Sequence, residues 1–332
     1  MKTVAIPIIV LACASPIAPR AAAPPSKDAE PPAPAPARAP VRGNNALIVQ
    51  RIAADGSSTT CATFGHADVP SIARLKDGRL LLAFQGFPTD DAVHFNRTAV
   101  RTSVDEGRTW SAPVPITVTG MEAGLAAPFD PALVALPDGR VRLYFITHTG
   151  TDAAPGPTGV HSAVSTDGTH YAYEPGVRFT VPGRVVVDCA AGLHAGVFHL
   201  VVPDNGTPDE FLGRRRRGEP QPGGNGYHAT STDGLAFTRL ADLSLPSVRN
   251  RWFGNLLADG AQFLFFGSGP GPWPVISADG TQWAPAATPV HMPGVDPCAV
   301  RLADGGWLVV ATTAPSPAQA PPGSQPSGAI SK

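Results

Sequence analysis

No charge of either sign dominates this 332-residue chain: 25 basic side chains stand against 26 acidic ones. That balance removes the long-range field that draws a protein to nucleic acid or to an anionic membrane. The four arginines at 214–217 are a local exception. They sit among Gly and Pro with no aromatic platform beside them, so they read as a solvated loop and not as a nucleic-acid site. Long apolar runs are also missing, since residues 5–14 (AIPIIVLACA) are too few to span a bilayer. Cysteine is scarce. Cys61, Cys189 and Cys298 are the three in the body of the chain, leaving open either a Cys61–Cys298 bridge or three free thiols. No G-x-S-x-G, H-E-x-x-H or G-x-x-x-x-G-K-[ST] motif is present, so neither metal nor cofactor is expected.

What the chain has in quantity is Pro (38) and Gly (35), concentrated at both ends and between short apolar runs. That distribution indicates many turns and few helices. Residues 1–14 have the layout of an export signal: Met1-Lys2, an apolar stretch, then small residues. Two cleavage readings stay open. Val10-Leu11-Ala12-Cys13 resembles a lipobox, with Cys13 taking the lipid and attaching the protein to a membrane, whereas Ala12-Cys13-Ala14 suits ordinary cleavage. Either route leads out of the cytoplasm, to the periplasm, an outer-membrane anchor or secretion. Residues 15–43 are a Pro/Ala tract that cannot bury enough apolar surface to fold and suits a semi-rigid spacer. Residues 314–332 share that composition and read as a disordered tail. The folded domain is expected over 44–313, as a monomer.

Internal periodicity decides the fold class. An apolar strand, a D-G turn and a second apolar strand recur as SIARLKDGRLLLAF (71–84), ALVALPDGRVRLYF (132–145), GNLLADGAQFLFF (254–266) and CAVRLADGGWLVVA (298–311). A weaker copy, AAGLHAGVFHLVV (190–202), has Ala195-Gly196 in place of Asp-Gly. Asp-Gly between alternating apolar runs is a strong hairpin signal. The first four hairpins along the chain are each followed by a second element: Ser103 to Trp110 (SVDEGRTW), then Ser-x-Asp-Gly at 165–168, 231–234 and 277–280, with Tyr171, Phe237 and Trp283 behind them. Ser and Asp side chains can bond to backbone amides inside such a turn, Gly supplies a positive φ, and the aromatic packs between sheets. The pattern predicts an all-β propeller of five four-stranded blades, with six as the alternative. The hairpin at 298–311 lacks the second element, so residues 46–54 are expected to return as its outer strand and close the ring. Asp105, Asp167, Asp233 and Asp279 read as structural.

The inner strand of each blade starts at the central funnel, and counting back eight residues from each turn gives a common register. It selects Asp130, Asp188, Asp296 and Arg251, while the first blade gives Val69 with Asp68 beside it. Pro follows at 70, 131 and 297, which suggests an extended entry into the strand. Carboxylates gathered round one axis raise one another's pKa, so one can stay protonated while another is ionised. Glycosidic cleavage uses that division, with a proton donor for the leaving oxygen and a carboxylate as base or nucleophile. His66 and His148 fall near strand ends by the funnel and suit sugar hydroxyls or, less readily, a metal. Trp252 and Trp273 suit either sugar stacking or blade packing.

The Ser-x-Asp turns resemble the Asp-box of sialidases and other propellers, and 68–84 (DVPSIARLKDGRLLLAF) resembles the opening sialidase blade, with Asp68 where that family has the Arg of R-I-P. A sialidase also implies an arginine trio, for which Arg251 is the nominee here. The Asp-Pro strand entries are similar to five-bladed glycoside hydrolases of the arabinanase, xylosidase and invertase kind. That resemblance implies Asp68 as base or nucleophile and Asp130 as the carboxylate that tunes pKa. The family's acidic Glu has no counterpart, since Asp188 occupies that strand entry, and Glu122 and Glu210 lie in loops. The expectation is therefore a glycoside hydrolase in which Asp68, Asp130 and Asp188 share the chemistry. Arg251, Asp296, His66, His148 and Trp252 would hold a carbohydrate. The alternative is a non-catalytic envelope propeller that binds glycan or protein.

Overall fold

The computed structural model describes residues 43–151, 154–211, 225–244, 253–268, 273–287 and 289–314. Cys13, the export signal, most of the Pro/Ala tract, the 214–217 arginines, Arg251, Trp252 and the tail beyond 314 lie outside these residues.

The described elements are strands apart from the one-turn helix Pro208–Phe211. They form five sheets, each entered by a hairpin. The first blade runs Ala67–Arg74, Leu80–Gly86, Arg97–Ser103 and Val114–Pro115 from the inside outward. The second runs Phe129–Ala135, Val141–Thr151, Ala154–Ser165 and His170–Phe179, with Thr117–Thr119 added in parallel outside. The third comprises Ala190–His194, Val197–Pro203, Asn225–Ser231 and Thr238–Arg239, and the fourth Phe253–Asp259, Gln262–Gly267, Val275–Ser277 and Ala284–Pro285. The fifth joins Val295–Arg301 and Trp307–Thr313 to Ala46–Ile52 and Ser58–Gly65. Consecutive inner strands touch all the way round, so the blades close into a ring.

Ring closure differs from the expectation in one respect. The N-terminal segment supplies two strands of the fifth blade: Ala46–Ile52 pairs with Trp307–Thr313, and Ser58–Gly65 forms the outer edge. The second of these reads STTCATFG, largely exposed, so no apolar alternation marks it in the sequence. The blade count remains five.

The hairpin turns follow from local chemistry. In the first blade Asp77 Oδ1 accepts the Arg79 amide at 3.0 Å, and Gly78 has φ 89°, where a side chain would be strained. Second strands are the most deeply placed; all seven residues of Leu80–Gly86 are buried, because each such strand is covered by a blade on either face.

The Ser-x-Asp turns lie at the opposite end of the blades from the inner-strand starts, and they join the blades together. In each, the Ser hydroxyl accepts the Gly amide at 2.8–2.9 Å and donates to the Asp carboxylate. The glycine then seats on the second strand of the preceding blade: Gly107 on Leu308, Gly168 on Leu81, Gly234 on Arg142 and Tyr144, and Gly280 on His199. Their hydrogen bonds hold Asp105 and Asp233 down at about 2, and Asp167 and Asp279 lower still. These carboxylates organise turns. The three described cysteines are free thiols, with Cys189 and Cys298 buried.

Candidate functional site

Every inner strand but the third opens on a slip in its pairing. The slips fall between Asp68 and Ser71, Phe129 and Ala132, Phe253 and Asn255, and Val295 and Cys298. At three of them the residue before the proline is left-handed: Val69 (φ 46°), Asp130 (φ 48°) and Asp296 (φ 48°). Asp188, just ahead of the third blade's inner strand, has φ 64°. These are the four described positions that the eight-residue register selects. The extended entry expected before Pro is therefore wrong. The chain inserts an extra, left-handed residue there and re-aims the side chain, as bulges beside functional sites do. A left-handed non-glycine residue costs about 1–3 kcal/mol and persists only where its surroundings impose it.

The carboxylates share one electrostatic neighbourhood. The Asp188 amide donates to Asp130 Oδ2 at 3.2 Å. The Cys189 thiol is pushed well up, by burial first and then by the charges of Asp188 and Asp130. Asp296 is raised to about 7, chiefly by burial and then by the Asp68 charge, partly offset by the Ser268 hydroxyl, with Asp130 adding to the rise. Asp188 is buried, whereas Asp68, Asp130 and Asp296 are half-buried.

Neighbouring blades hold these groups in place. Asn45 Nδ2 donates to Asp68 Oδ2 at 2.8 Å, and the Val69 amide donates to Asp68 Oδ1 at 3.0 Å. Ser268 Oγ donates to Asp296 Oδ1 at 3.1 Å and accepts the Asp296 amide at 2.7 Å. Sequence reasoning missed Asn45 and Ser268, because neither belongs to a repeated motif. It also gave Asp296 a substrate-orienting role; burial and the charges of Asp68 and Asp130 raise this carboxyl, which favours its keeping a proton.

The remaining candidates divide. His66 is exposed, left-handed (φ 56°), and its Nδ1 lies 2.8 Å from Gly43 O. His148 is buried against Phe129, next in sequence to Asp130, with ring centroids 6.1 Å apart. Trp273 is buried edge-on to Phe265, so it packs the fourth blade and offers no sugar-stacking face. Glu122 accepts the Tyr173 hydroxyl and the Gly176 amide, and Glu210 accepts the Thr207 amide and pairs with Arg184. Arg251 and Trp252 fall outside the described residues. Among the described residues no three His, Cys, Asp or Glu side chains are arranged to share a metal ion. A cleft of about 320 Å³ between the third and fourth blades, lined by His228, Asp242 and Trp283, includes no member of the cluster.

No family profile matches the chain, and no curated protein matches it. Solved structures do. They include sucrose-6-phosphate hydrolase from Lactobacillus gasseri (TM-score 0.53, 13% identity, 76% of this chain and 54% of that one). Others are an N-acetylgalactosamine deacetylase from F. plautii in complex with blood group B trisaccharide (0.52, 12%, 76% and 81%) and a variant of the Bombyx mori beta-fructofuranosidase in complex with sucrose (0.51, 14%, 73% and 54%). The chain spans about half the length of the first and third of these (54%). At such identities the likeness is one of fold. This chain is a five-bladed propeller similar in fold to solved carbohydrate-acting proteins.

Proposed function

We propose that the chain is a glycoside hydrolase working at the funnel carboxylates, with Asp296 as proton donor and Asp68 as the base or nucleophile. The observation that carries this reading is the placing of Asp296 among the charges of Asp68 and Asp130, which with burial raise it to about 7. A donor poised near neutral pH beside a second carboxylate is the pairing that acid–base cleavage of a glycosidic bond uses. The Asp296 proton passes to the leaving oxygen while Asp68 attacks the anomeric carbon or takes a proton from the attacking water. Asp130, whose charge also acts on Asp296, tunes the pair, and buried Asp188 fixes Asp130 through its amide. The carbohydrate ligands in the structures of similar fold support the substrate class.

Purified protein screened against chromogenic glycosides tests this. Asp68→Asn should remove turnover by about 10³-fold or more, with thermal stability nearly unchanged. Retained turnover in that variant would sink the assignment.

The second reading, a propeller that binds glycan without cleaving it, draws on the donors already occupying Asp68 and Asp296. Saturable glycan binding by a wild-type protein that turns over none of the panel would establish it. We place either activity outside the cytoplasm, in keeping with the export-signal layout of residues 1–14. Mass spectrometry of the processed protein should find Cys13 lipidated at the new N-terminus, and an unmodified terminus would remove the membrane anchor from this account.

A further inference from the structure

We infer that Asn45 is a positioning residue for Asp68, which makes the strand that closes the ring part of the site's machinery. This rests on the reading of the carboxylate cluster given above. Asn45 immediately precedes the closing strand Ala46–Ile52. Its side-chain amide takes Asp68 Oδ2 at 2.8 Å, while the Val69 amide takes Oδ1 at 3.0 Å. The two oxygens are thus held by donors from different segments of the chain, and that fixes the plane of the carboxylate. The same junction is tied at three further points. The Ala67 amide donates to Asn45 O at 3.2 Å, His66 Nδ1 lies 2.8 Å from Gly43 O, and the Val69 amide also donates to Thr312 Oγ1 at 3.2 Å. Residues 66–69 are therefore seated against the fifth blade at its seam.

The choice of an amide follows from charge. A carboxylate that must act as base or nucleophile needs a donor that orients it without neutralising it. A neutral Nδ2–H does this, whereas Lys or Arg would pair with the charge and Asp would repel it. Removing the donor leaves Asp68 with one fixed oxygen, so the carboxylate can turn about its own side-chain torsions. Misplacement of a reacting group by about 1 Å costs on the order of 100-fold in rate.

The test uses the full chain with Asn45→Ala, Asn45→Ser, Asn45→Asp and, as a control, Asn44→Ala at the exposed neighbour. In Asn45→Ala, kcat should fall about 10–100-fold with KM within about twofold. Asn45→Ser, which keeps a short donor, should recover part of that loss. Asn45→Asp should lose more than Asn45→Ala, and Asn44→Ala should match wild type. Amide exchange at Ala46–Ile52 should stay protected in Asn45→Ala, showing the strand still docked. Unchanged kcat in Asn45→Ala, or a loss that appears only together with lost protection over 46–52, would overturn the inference and leave the cluster reading intact. A wild type that hydrolyses no glycoside would overturn both together.

Discussion

Replacing Asp296 with Asn should abolish turnover and at the same time stabilise the protein at neutral pH. Without a proton on Asp296 the leaving oxygen departs unprotonated, a loss of about 10²–10⁴-fold. The wild-type rate should fall on the alkaline side as pH rises through about 7, where Asp296 gives up its proton. The stability effect has the opposite sign. Because the folded-state pKa of Asp296 lies above the usual carboxylate value of 3.8, the native state retains a proton that the unfolded chain releases. Stability from this group is therefore greatest below about pH 4, declines between 4 and 7, and is flat above. Asn carries no charge to bury and keeps the oxygen that Ser268 reaches. Allowing for solvent at the half-buried group, the variant should gain about 2 kcal/mol above pH 7 and nothing below pH 4. Denaturant midpoints measured at pH 8 and pH 4 would show this. A variant less stable than wild type at pH 8, or one that still cleaves substrate, contradicts the assignment.

Acid should loosen the joint between the third and fourth blades. His199 Nδ1 and His228 Nε2 lie 3.1 Å apart, so one proton serves both rings, and His194 and His199 pack on Phe263. Burial first, then the neighbouring His228 and His194, lowers His199 to about 4, with Asp279 pulling the other way; burial also lowers His228. A histidine held neutral in the fold contributes stability that is complete above about pH 6.5 and is lost as pH falls through 4. For His199 the loss amounts to about 2–3 kcal/mol. The corresponding turn glycines of the first and second blades rest on Leu308 and Leu81, which cannot titrate, whereas Gly280 rests on His199. Putting Leu at position 199 should therefore remove the His199 loss, so that the variant gains about 2–3 kcal/mol on wild type as pH falls from 6.5 to 4. The idea fails if the stability difference between wild type and this variant is the same at pH 6.5 and pH 4.

The repeat was legible because its signals are local. Asp77-Gly78, Asp138-Gly139 and their counterparts dictate hairpins whatever surrounds them, and the Ser-x-Asp turns satisfy their own amides. The outer strand Ser58–Gly65 was not legible, since an exposed edge needs no apolar alternation. The site was half legible. Counting from the turns found Asp130, Asp188 and Asp296, because hairpins of similar length place their starts alike. Nothing in the composition reveals that Val69, Asp130 and Asp296 take up left-handed backbone. What raises Asp296 was hidden too: its burial and the charges of Asp68 and Asp130 are tertiary facts.

Pairing of Ala46 with Thr313 brings the first and last strands of the propeller together in register over seven residues, from Ala46–Thr313 to Ile52–Trp307. An open array of repeats can fray from its terminal members inward. Here the terminal members are each other's neighbours, and neither can peel away until all seven pairings part. Unravelling from either terminal strand must then start with the parting of this seam.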